Sequence, residues 1–107
     1  MNTFTTSPPM LCEPEVFGEI ESAAQGLAYG AMVFTVKRSC ATEPHAHASE
    51  ETWIVQKGTG QAHINGDSFS LVPGSRICVP PRTLHSVTNT STADLQVMAF
   101  WWKGENE

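Results

Sequence analysis

Short β-prone segments, cut apart by turn residues at nearly regular intervals, constrain this chain more than any other feature. Turn signals recur at a spacing of roughly 8–12 residues, the rhythm of an all-β sandwich or barrel. Leu27–Lys37 is rich in branched and aromatic residues, and Thr52–Lys57 runs into Gly58-Thr59-Gly60. Gln61–Ile64, Asn65-Gly66 and Asp67–Leu71 read as a hairpin. Both central residues of its tight turn need positive φ, which Asn-Gly adopts at low cost. Pro73-Gly74 marks the next turn, Arg76–Val79 and Leu84–Thr88 flank a Pro80-Pro81 corner, and Leu95–Trp102 closes the series. No segment carries a useful helical period, and Glu19–Gln25 is expected to make a helical turn at most. The expectation is one all-β domain over residues 15–104, with an N-terminal arm at 1–14 and a tail at 105–107.

Composition narrows the function classes. A chain of 107 residues can bury one modest core, and 16% charged residues beside 40% hydrophobic ones suit a globular protein. No apolar run approaches the roughly 20 residues of a membrane span. The first residues have neither the basic nor the continuous apolar stretch of a secretory signal, and they read as a loose or partner-docking arm. Net charge is −5 and Lys37-Arg38 is the only adjacent basic pair, which argues against a nucleic-acid partner and an anionic membrane partner. Cys12, Cys40 and Cys78 are widely spaced and form no C-x-x-C motif. Together with the missing signal they predict reduced thiols in a cytoplasmic protein, with Cys78 buried and structural.

Chemistry concentrates in Pro44-His45-Ala46-His47-Ala48-Ser49-Glu50-Glu51 and in the distant His85. Residues two apart on a strand share a face, so His45 and His47 can grip one ion together. Three imidazoles and a carboxylate suit one divalent transition metal (iron, zinc, manganese, nickel or copper) and leave positions open for a small-molecule substrate. Glu50 and Glu51 diverge as strand neighbours, so one is the ligand candidate. If Glu51 points inward, Trp53 and Val55 follow it. Glu51 also has a second possible role, as a general base beside a three-histidine metal. Val87 and Asn89 would share the face of His85. Trp53, Val55, Phe34 and Met98 are the expected pocket walls. Arg82 is a candidate clamp for an anionic substrate group, although an exposed turn arginine is the simpler reading. The loop around Arg82 and the N-terminal arm are placed to narrow the pocket mouth. His63 is expected outside, opposite Ala62 and Ile64.

This pattern resembles the cupin superfamily. The tail of the first cupin motif is H-x-H, three residues, Glu, six residues, Gly, and His45, His47, Glu51 and Gly58 fit it without a gap. Pro80, His85 and Asn89 fit the second motif, and Pro73-Gly74 matches the turn before it. Two motif glycines are replaced, by Ser39 and by Arg82. The matching ligand motifs cover residues 45 to 89. The resemblance implies a small jelly-roll barrel (a double-stranded β-helix) in which His45, His47, Glu51 and His85 bind the metal. It implies a metal-dependent enzyme on a small organic molecule, either a cyclase, isomerase or lyase, or a dioxygenase. The alternative is a non-catalytic small-molecule-binding or sensing module. Phe100-Trp101-Trp102 must present residues to both faces of its strand, so one face is expected in the barrel and the other against a second subunit, as a homodimer.

Overall fold

The computed structural model describes residues 10–24 and 27–104. The described residues form ten strands: β1 (Met10–Leu11), β2 (Glu15–Ala24), β3 (Leu27–Val36), β4 (Cys40–Ala41), β5 (Glu50–Lys57), β6 (Gly60–Ile64), β7 (Asp67–Leu71), β8 (Arg76–Val79), β9 (His85–Asn89) and β10 (Leu95–Gly104). They build two five-stranded sheets, ordered β1-β4-β9-β6-β7 and β2-β3-β10-β5-β8. The core joins the inner faces of both. Phe34, Trp53, Val55 and Val97 come from the second sheet, and Ala62, Leu71 and Val87 from the first. The architecture is all-β, as the punctuation indicates, and is the jelly roll that the resemblance implies.

Alternation explains which side chains meet. In β5, Glu51, Trp53 and Val55 are buried while Thr52 and Ile54 are only partly covered. Burying each large apolar side chain of such a strand contributes ~1.5–3 kcal/mol. The Asn65-Gly66 turn has φ of 52° and 88° at its two residues, the geometry that lets β6 and β7 pair directly from Ile64↔Asp67 onward. Gly58 turns β5 into β6 at φ 86°, where an added Cβ would collide with the backbone of Asp94 and Leu95. Asn89 is fully buried and structural. Its amide donates to the carbonyl oxygens of Val36 and Ala93 (2.9 and 2.8 Å), while its Oδ1 accepts from the Ser91 hydroxyl at 2.7 Å.

Three expectations are overturned. Glu19–Ala24 is not a helical turn but the second half of β2, paired antiparallel with β3 from Ile20↔Ala31 to Ala24↔Leu27; Gln25 lies outside the described residues. A register shift between Phe17 and Ile20, with Gly18 at φ 64°, breaks the local alternation that would have revealed this strand. The reading of Cys12 and Cys40 as reduced, partnerless thiols also fails: they form a disulfide. The parallel pairing of β1 with β4 brings the two segments side by side, and Cys12 N–H donates to the Ala41 carbonyl at 2.9 Å. Cys78 is free but exposed, not buried, because it takes the outward position of β8 between Ile77 and the buried Val79. No helix among the described residues is long and apolar enough to cross a membrane.

Candidate metal centre

The H-x-H segment belongs to neither sheet; it is a loop stitched onto the start of β9. His45 N–H donates to the His85 carbonyl at 3.1 Å, and His85 N–H donates back to the His45 carbonyl at 2.9 Å. The Arg82 N–H donates to the His47 carbonyl at 2.6 Å. These backbone bonds place three imidazoles around one point. One ring nitrogen from each of His45, His47 and His85 lies within 4.8 Å of the others.

Hydrogen bonding fixes the tautomers. The Nδ1–H of His45 donates to the Glu43 carbonyl (3.2 Å), that of His47 to the Ser49 carbonyl (3.2 Å) and that of His85 to the Thr83 carbonyl (2.8 Å). A carbonyl oxygen only accepts, so each Nδ1 carries the proton and each neutral ring keeps its lone pair on Nε2. Burial pushes the His85 pKa below the ordinary histidine value; the neighbouring His45 and His47 act the same way, against the Thr83 carbonyl and Glu51.

Glu51 approaches two of the three rings from β5. It is 5% exposed, and its Oε2 stands 3.3 Å from His47 Nε2 and 3.7 Å from His85 Nε2. A carboxylate oxygen and neutral Nε2 atoms are all acceptors and offer one another nothing without a cation between them. The buried His85 Nε2 has no hydrogen-bond partner among the described residues. The three convergent imidazoles, each ring held from behind by a carbonyl, could hold a metal ion, with the Glu51 carboxylate beside two of them.

A cavity of about 430 Å³ opens beside this cluster, with His45, Glu51 and His85 in its wall. Phe34 and Trp53 line it as expected, edge to face at 5.7 Å. Three other expected pocket residues do not. Val55 is inward but one step deeper, packed in the core opposite Val97. Met98 projects from the other face of β10, since its neighbours Val97 and Ala99 take the inward positions. Arg82 is exposed on the corner and does not line the cavity; its backbone N–H is bonded to the His47 carbonyl. His63 faces away from the core and is held between Ser68 Oγ (2.9 Å) and Thr88 Oγ1 (2.8 Å). The wall also includes residues that the sequence did not single out, chiefly Leu11, Glu13 and Pro14 beside the disulfide, and Met32. The N-terminal arm was expected at the pocket mouth, but which of its residues line the wall depends on the pairing of β1 with β4.

The sequence profile described as Cupin domain matches residues 32–101. An uncharacterised protein of Methanocaldococcus jannaschii is 29% identical over 55 residues, which make up 50% of this chain and 44% of that protein. The chain therefore spans less than half the length of the curated relative it matches. Among solved structures, a Cupin 2 conserved barrel domain protein from Salinispora arenicola superimposes with a TM-score of 0.72 at 18% identity, covering 95% of this chain and 91% of that one. A Klebsiella pneumoniae protein with a double-stranded β-helix domain gives a TM-score of 0.71 at 18% identity, covering 99% and 95%. At such identities these likenesses speak to fold alone.

Proposed function

The chain belongs to the cupin domain family, and from that premise we propose that it is a metal-dependent enzyme acting on a small organic molecule, with one divalent transition metal held by His45, His47, Glu51 and His85. The observation that carries this reading is the convergence of lone pairs. Three Nε2 acceptors and the Glu51 carboxylate meet at the wall of a largely apolar cavity, with the buried His85 Nε2 unpartnered among the described residues. A bound ion would supply Lewis acidity toward a substrate oxygen or, if redox-active, oxygen activation. The chain's own residues set the conditions. Phe34 and Trp53 exclude water on one side, and the carbonyls behind the three rings hold the proton of each neutral ring on Nδ1, leaving the Nε2 lone pair for an ion. In this reading Glu51, beside His47 and His85, is the fourth ligand; the alternative role for it is a general base next to a three-histidine metal.

The test is elemental analysis of protein purified without added metal, followed by turnover assays on His47→Ala. About one transition metal ion per chain, lost with His47→Ala while the fold persists, supports the reading. Failure to take up any metal on reconstitution overturns it. Ligand binding without turnover would leave the sensing module.

A homodimer is part of the same proposal. Cross-strand pairs share a face, and Phe17↔Val33, Ile20↔Ala31 and Phe100↔Ala31 put three exposed large apolar side chains on the outer side of the second sheet. Light scattering of the wild type against Phe17→Ser/Ile20→Ser tests it: a dimer that dissociates in the variant supports this face, and a wild-type monomer removes it.

A further inference from the structure

The cavity wall has a charge pattern that narrows what it can accept. Glu13, Glu43 and Glu51 all line it, while no lysine or arginine does among the described residues. Glu51 is buried at the metal centre, but Glu13 and Glu43 are exposed and belong to the outer part of the wall. Glu51 and a divalent ion together leave one positive charge at the inner end, which an anionic oxygen on the metal would offset, while the two outer carboxylates have no cation of the lining beside them. An anionic group there would face like charge, and an ammonium would face two opposite charges.

A second observation, independent of charge, lies in the same cavity. Trp53 is 3% exposed, lines the wall, and stands edge-on to both Phe34 and His85 with ring centroids 5.7 Å away in each case. Its buried indole N–H has no acceptor among the described residues. A buried donor without an acceptor is costly in a native protein, so an oxygen acceptor delivered by a ligand beside His85 would satisfy it.

We infer that this cavity selects a small aromatic or apolar amine: an oxygen acceptor enters toward Trp53 and the metal centre, the body lies on Phe34 and Met32, and the ammonium group faces Glu13 and Glu43. Phosphorylated and polycarboxylate molecules are disfavoured by the same carboxylates. The inference rests on the metal-site reading above and adds the substrate class to it. Trp53 is then a positioning residue for the ligand oxygen, and Glu13 and Glu43 determine specificity.

The experiment is calorimetric titration of the zinc-loaded protein with three catechols that share a chelating oxygen pair and differ in the charge of the tail: dopamine (ammonium), 4-ethylcatechol (neutral) and 3,4-dihydroxyphenylacetate (carboxylate). Dopamine should bind about tenfold more tightly than the carboxylate analogue at low salt, with the neutral compound between them, since each exposed charge pair is worth a modest factor. Salt should compress the series, because the outer carboxylates are screened. Glu13→Gln/Glu43→Gln should abolish the ranking and leave zinc stoichiometry intact; both positions are exposed, so the fold is not at risk. Trp53→Phe should weaken all three about tenfold while keeping their order, and its melting temperature separates this loss from unfolding. Equal affinities, a reversed order, or no catechol binding by zinc-loaded protein overturns the inference and spares the metal site. Failure of the protein to load zinc or any other transition metal overturns the metal-site reading itself, and this inference with it.

Discussion

Glu51 Oε2 lies 3.3 Å from His47 Nε2, four residues earlier in the chain, although the Nδ1–H of that ring is already committed to the Ser49 carbonyl. Two acceptors at that distance are held there by their scaffolds, β5 for the carboxylate and the 45–49 loop for the imidazole. They become mutually favourable when a cation shares them. Glu51→Gln keeps the shape and removes the charge. It is expected to weaken metal binding by more than the roughly 10–100-fold that loss of an outer-shell partner costs. Competition against a chromophoric chelator measures this. Unchanged metal affinity with lost turnover would move Glu51 from ligand to general base.

His85 supplies a pH dependence whose sign follows from burial. Its folded pKa is lowered from the ordinary value of 6.5, so between the two values the unfolded chain binds more protons than the folded one. Stability of the metal-free protein should therefore be fully present above the ordinary value and fall as pH drops below it. Denaturant midpoints between pH 5 and pH 8, with His85→Gln flattening the profile, check this. In the metal-loaded protein, acid should also release the ion, because protons compete for the Nε2 lone pairs.

Ser39 and Arg82 replace the two glycines of the family pattern, yet both keep a left-handed backbone, with φ of 59° and 56°. A side chain in that region carries a steric cost of about 1 kcal/mol. Ser39→Gly is expected to raise stability by roughly 0.5–1 kcal/mol, read as a higher denaturant midpoint with unchanged slope. No gain would mean that the Ser39 side chain compensates locally.

The Cys12–Cys40 disulfide closes a loop with a sequence separation of 28. Chain-entropy reasoning gives about 3.5 kcal/mol for a loop of that size. Reduction, or Cys40→Ser, should lower global stability by up to that amount. It should also loosen residues 10–14, whose remaining ties to β4 are two pairs of a parallel ladder and the Cys12 N–H bond. Hydrogen exchange at Leu11 and Cys12 with and without a dithiol separates the local effect from the global one.

The fold class, most of the strands and the candidacy of His45, His47 and Glu51 were legible in the sequence because each depends on local rules. Alternation buries Glu51 with Trp53 and Val55, and Asn65-Gly66 dictates its own turn. The H-x-H spacing keeps His45 and His47 close enough to serve one centre. Local rules did not extend to Met98 and Val55 as pocket walls. Met98 needed the register of β10 against β5 and β3, which decides which alternate set faces in; Val55 needed the depth of the cavity, which stops at Trp53.

What the sequence determined by itself is most of the strands and the identity of the ligand candidates, since side-chain period, turn chemistry and ligand type are properties of a few adjacent residues. Only the tertiary structure decided that His85 closes the group through reciprocal backbone bonds with His45, and that Cys12 meets Cys40. It also decided that Glu13 and Glu43 share a cavity wall with Trp53. Each of these joins segments far apart in the chain, and the sheet order that brings them together is chosen by burial of the whole core, which no single segment encodes.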